Sequence, residues 1–167
     1  MFIVYAALFV LSLAQQHSAM PAGMSHEEHL KQMAKDEALK KHGADAMGFD
    51  QDAATHHFRI QPKGGAIEVT VKEGADSATI DVVRQHLRAI AAEFANGDFA
   101  RPMATHGEVP PGAREMARRK EAIAYRYEEA PRGGRVTITT DDPQGLAAVH
   151  EFLRYQIIEH KTGDAMK

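Results

Sequence analysis

The histidine pair in Thr55-His56-His57-Phe58-Arg59-Ile60 opens the first stretch in which apolar and polar residues alternate. The chain carries 10 His and 8 Met but no Cys. Without cysteine there are no disulfides, thiolate metal sites or cysteine nucleophiles. Imidazole nitrogen suits copper, zinc, nickel and iron, whereas thioether sulfur selects Cu(I). A His and Met donor set without thiolate therefore points to a copper ion. The candidate ligands are His56, His57, His86 and His106, with Met103 as a soft donor. A second set, His26, His29 and Met33, is spaced i, i+3, i+7, which is one face of a helix. A structural reading competes with each of these. His86 could be a core-edge histidine bonded to a backbone carbonyl, and Met103 and Met116 could fill gaps. No spacing here matches a specific metal motif such as His-x-x-x-His or His-Glu-x-x-His.

Whether these residues can meet depends on the elements that carry them. Neighbouring side chains on a strand point to opposite faces. His56 shares parity with Phe58 and Ile60 and should point inward, while His57 shares parity with Arg59 and should face solvent. One metal takes both only if the strand starts after His56 or a bulge sits there. His86 flanks an apolar helical stripe, so a helix packed on the sheet could bring it toward His56. The connection holding Met103 and His106 would supply the remaining donors.

The elements read as follows. Thr55–Gln61 and Ala66–Lys72 alternate around Pro62-Lys63-Gly64-Gly65 and predict a β-hairpin. A helix follows from about Ala78 to Asn96, with a stripe of Ile80, Val83, Leu87, Ile90 or Ala91, and Phe94, ended by Gly97. The plan then recurs. Ile123–Glu129 and Arg135–Thr140 flank Pro131-Arg132-Gly133-Gly134. Asp142 caps a helix with Pro143 at its first position, running to about His160 and burying Leu146, Val149, Leu153 and Ile157. The fold expected is α+β: two ββα repeats forming a four-stranded antiparallel sheet with two helices on one face, spanning residues 55–163. Residues 98–121 form an insertion between the repeats, predicted as a Pro- and Gly-shaped loop followed by a short helix through Met116 to Lys120. Unstructured connections of that length are often functional.

The N-terminal residues differ in character. Residues 2–14 are an uninterrupted apolar run, too short for a membrane span of about 20 residues. Its length suits a signal-peptide core, with Ser12 and Ala14 as small residues before a cleavage point, although no Lys or Arg precedes the core. Residues 1–14 are thus expected to be a signal peptide, and the protein periplasmic or secreted. Residues 15–54 are a Met/His-rich extension with four Lys against seven Asp and Glu, a net of −3. That equals the charge of the whole chain, so the remainder is neutral. Ser25-x-x-Glu28 is a capping box that predicts a helix from about His26 to His42, ended by Gly43 and loosely docked.

Several function classes lack their signatures. A net charge of −3 and a pI near 6.4 leave no electrostatic footprint for nucleic acid. There is no P-loop, dinucleotide fingerprint or Gly-x-Ser-x-Gly elbow, and the reading leans away from an enzyme. Three readings stand: a metal-binding protein, most naturally copper, for storage, delivery or tolerance; a metal-free interaction or homodimerisation module; and a binder of non-covalent haem or another small ligand.

Met47-Gly48-Phe49-Asp50-Gln51 with Thr55-His56-His57-Phe58, Asn96-Gly97-Asp98-Phe99 with Pro102-Met103 and His106, Val109-Pro110-Pro111-Gly112, and His150-Glu151-Phe152-Leu153-Arg154 resemble a family of small secreted bacterial proteins. The resemblance covers residues 47–163 and implies no established activity. An aspartate carbamoyltransferase label that comes with it does not fit. Those enzymes look much longer, with two α/β domains and a Ser-Thr-Arg-Thr phosphate loop that this chain lacks.

Overall fold

The computed structural model describes residues 24–167. The signal-peptide expectation for residues 1–14 and most of the extension before the first helix lie outside them. The chain separates into a unit ending at Ala34 and a unit from Lys35 to Lys167.

Helix α1 spans His26–Met47. The capping box forms as its residues predict: the Glu28 carboxylate accepts from Ser25 N at 2.8 Å, and the Ser25 hydroxyl accepts from Glu28 N at 3.2 Å. Among the residues up to Ala34, His26 and Met33 are exposed and His29 is half-buried. The helix outruns its expected end. Gly43 lies inside it, and Gly48, at φ +79, makes the left-handed exit, with its N–H bonded to Ala44 O. Met47 and Phe49 beyond that are buried core residues. The end of α1 therefore belongs to the folded body, because two large apolar side chains there gain more from burial than a tether could.

Strands β1 (Ala54–Gln61), β2 (Gly64–Val71), β3 (Ile123–Ala130) and β4 (Gly133–Thr140) form one antiparallel sheet in the order β1-β2-β4-β3. Two hairpins thus lie side by side and join through β2 and β4, with Ile67 opposite Val136 and Val69 opposite Gly134. The glycine pairs, expected in the turns, are strand residues. The turns close on Pro62-Lys63 and Pro131-Arg132, and the glycines permit a close approach at the central seam. A Cβ at Gly64 would lie 2.0 Å from Ile138 O, and one at Gly133 would lie 1.9 Å from Val69 O.

Helices α2 (Ser77–Ala95) and α5 (Pro143–Glu159) cover one face of the sheet. Asp76 and Asp142 cap them, each accepting the backbone N–H three residues on. The core runs between the layers, from Phe58, Val69, Val136 and Ile138 of the sheet to Leu87, Phe94, Phe152 and Leu153 of the helices. The helices cross over. Helix α2 follows β1 and β2 but packs mainly on β3 and β4, while α5 follows β3 and β4 and packs mainly on β1 and β2. The opposite face is polar, with Glu68 held between Arg59 and Arg135 at 3.4 and 3.3 Å.

The insertion is more regular than expected. It holds two short helices, α3 (Ala100–His106) and α4 (Ala113–Arg118). The Asp98 carboxylate accepts from Ala100 N at 2.8 Å to start α3, and Pro102 sits within the first turn, where its missing N–H costs nothing. No described helix is long and apolar enough to cross a membrane.

Candidate functional site

Four imidazoles from four elements meet at one cavity of about 60 Å³ under the helix layer. His56 comes from β1, opposite Val69 of β2, on the inward face that its parity dictates. His86 stands on α2, three residues after Val83 and four before Ile90, both buried. His106 is the last residue of α3, and His160 caps the C-terminal end of α5. Met47, Phe58 and Gln156 also line the space.

The rings pack closely. His56 stacks on His160 with centroids 5.6 Å apart and planes 15° apart. His106 meets His160 edge-on at 5.2 Å. The Phe49 ring stacks on His56 at 6.0 Å and stands edge-on to His86 at 5.7 Å. Three ring nitrogens in this group are buried without a hydrogen-bond partner: His56 Nε2, His86 Nδ1 and His106 Nδ1. The other nitrogen of His106, Nε2, lies 3.1 Å from Gln156 Oε1. With the amide oxygen accepting, Nε2 carries the proton and Nδ1 presents a lone pair. Gln156 Nε2 is a fourth orphan in the same lining, and because buried polar atoms are nearly always paired, such a group round one cavity is unusual.

Burial keeps these rings neutral. Desolvation lowers His56 and His86 to about 4 and His160 to about 3. His57, on the far face, reinforces the shift at His56; His56 and His106 do so at His160, and Arg101 and His56 at His86. Burial also lowers His106, against the opposing effect of its bond to Gln156. Arg101 is itself neutralised. Its Nε lies 2.8 Å from both Glu93 oxygens, and its Nη1 donates to Ala46 O at 2.9 Å, which ties α3 to α2 and to the end of α1.

His56, His86 and His106 are therefore brought together as their positions suggested, whereas His57 and Met103 are not. His57 lies on the opposite face, with Nδ1 2.9 Å from Asp164 Oδ1. The same carboxylate accepts from Phe58 N at 2.8 Å, Arg59 Nη1 at 2.7 Å and the Thr162 hydroxyl at 2.8 Å. Burial pushes the Asp164 carboxyl up, but the Phe58 N–H, the Thr162 hydroxyl and His57 outweigh it, and the net shift is downward. Met103 is 40% exposed and borders a separate surface depression beside His42 and Asp45.

His160 and Met47 were not among the sequence candidates. His160 continues the buried stripe of α5, three residues after Ile157, so its signal was the stripe itself. The carbonyl-bonded role considered for His86 falls to His150, whose Nε2 donates to Gln61 O at 2.9 Å. Among the described residues, no three His, Asp or Glu side chains are already arranged to hold a metal ion. Comparison with protein-family models, curated proteins and solved structures gives no match.

Proposed function

We propose that the imidazole cavity is a transition-metal site, with copper the favoured ion, in an exported protein that stores, delivers or detoxifies the metal. The observation that carries this reading is the set of three unpartnered ring nitrogens on residues that line one small cavity, with a fourth imidazole in the same lining. Metals bind neutral imidazole, and these rings are held neutral by burial.

The spacing supports the reading as well. A metal–nitrogen bond of about 2.0–2.1 Å puts a ring centre about 3.2 Å from the ion, so tetrahedral neighbours have centres about 5.2 Å apart. The His106–His160 and His56–His160 separations of 5.2 and 5.6 Å need ring rotation more than translation. The stacked His56 and His160 rings would turn their edges inward. Met47, in the same lining, would supply the soft thioether donor that Met103 does not. A space of about 60 Å³ suits an ion and excludes a porphyrin unless the core is rebuilt. The apolar run at residues 2–14 supports export.

The test is titration of the mature protein with Cu(I), Cu(II) and Zn(II) against a competing chelator. One ion per chain is expected, with copper ahead of zinc. A double variant, His86→Ala with His106→Ala, should lose at least about 100-fold in affinity, while Met103→Leu leaves it unchanged. Equal binding by the double variant and the parent would overturn the site.

A further inference from the structure

The imidazole cavity shares a wall with the outside. A cleft of about 370 Å³ lies beyond it, bordered by Asp36, Asp52, Lys72 and Glu159. His56 and His160 are the two residues that line both spaces. Their stacked rings form part of the boundary between the cleft and the cavity.

The two halves of this wall are held differently. His56 sits in the β1–β2 ladder. His160 sits where α5 ends, and Lys161 after it has φ +51, the one positive φ at a non-glycine residue among those described. Such a conformation costs about 1 kcal/mol or more and persists only where its surroundings impose it. Here the helix end imposes it: the Lys161 N–H bonds to Ile158 O and the Thr162 N–H to Ile157 O, each at 3.2 Å, and side chains hold the segment beyond that cap. The Lys161 ammonium pairs with Asp36, and Arg154 Nε donates to Met166 O at 3.0 Å. The main anchor is Asp164, four residues after His160. It is 4% exposed and bonded to His57, Arg59, Phe58 N and Thr162. The adjacent histidines thus act on the same place from opposite faces: His56 forms the wall, and His57 grips the segment that completes it.

We propose that His57 and Asp164 are positioning residues for the imidazole cavity, and that the segment from His160 to Asp164 is the door between the cleft and the nitrogens. For its ligand this rests on the metal reading above; for its geometry it does not. Removing the charge of Asp164, or the imidazole of His57, should leave the fold in place and let the segment open more often, since segments held by a few polar contacts open locally.

The experiment uses the full chain and diethyl pyrocarbonate, a small reagent that carbethoxylates neutral imidazole, with each histidine followed by peptide mass spectrometry. In the parent, exposed His42 should react fast and His56 and His160 slowly. In Asp164→Asn and in His57→Gln, His56 and His160 should react about tenfold faster, the scale of one lost charge-assisted hydrogen bond. His150, which lies outside the cavity, should not change. In parallel, a chelator should strip preloaded Cu(II) faster from both variants at unchanged stoichiometry. Unchanged protection of His56 and His160 in both variants would overturn the door. Acceleration that includes His150 would also overturn it, by showing general loosening. Selective acceleration in a protein that binds no copper would keep the door and overturn the metal reading.

Discussion

A buried imidazole nitrogen with no partner costs stability, and this chain keeps three such nitrogens in one place. The cost has a signature in pH. His56 and His86 titrate near 4 and His160 near 3 in the folded protein, against 6.5 for a free imidazole. The unfolded chain therefore binds more protons than the folded one once the pH falls below 6.5, and stability drops from there down to about 4. Each histidine contributes a slope of up to about 1.4 kcal/mol per pH unit. Urea midpoints measured without metal from pH 7.5 to pH 4.5 should fall steeply, and His56→Phe should remove about one proton's worth of that slope. A flat profile would mean that water or a bound group already partners these nitrogens. The sequence showed part of this arrangement. Strand parity alone separates His56 from His57, and the stripe of α2 brings His86 to the core edge. The α5 stripe placed His160 on the buried side of its helix, but which rings it meets depends on how the end of α5 packs on β1, and no local pattern encodes that contact.

At the scale of elements, the central seam carries the most specific requirement. Gly64 and Gly133 occupy matching places in the two hairpins, and each faces a carbonyl of the opposing central strand at a distance no Cβ tolerates. Gly64→Ala or Gly133→Ala should cost about 3 kcal/mol or more, because the displaced neighbour is backbone. Gly107→Ala is the control. Its φ is +69 but nothing lies within 4 Å of a built Cβ, so it should cost about 1–2 kcal/mol in conformation alone. Thermal melts of the three variants distinguish the cases. The strands, α2 and α5 were readable from alternation, capping aspartates and apolar stripes, nearly to the residue. Ile80 and Leu146, at the starts of the two expected stripes, are the exceptions, half-buried rather than buried. Helix α3 was hidden by its own composition. A proline and flanking glycines read as loop, yet Pro102 falls in the first turn and Gly107 at the exit, the two places where a helix accepts them.

At the scale of the molecule, the crossing of the helices decides how the parts depend on each other. Each hairpin is roofed by the helix that belongs to the other half of the chain. Neither half buries its own sheet, so cutting between the exposed Gly107 and Glu108 should leave two fragments that are unfolded separately and fold when mixed. Circular dichroism of each fragment and of the mixture measures this; an amino-terminal fragment folded by itself would contradict it. The crossing was not legible beforehand, since both helices carry stripes equally able to cover either hairpin. It also sets an order in time. His56, His86 and His106 precede the cut and His160 follows it, at the end of α5. An unfinished chain cannot assemble the four imidazoles, whatever it meets on the way. Assembly of the four imidazoles would therefore report that the two halves have met, and a chain stopped between them would lack the fourth ring.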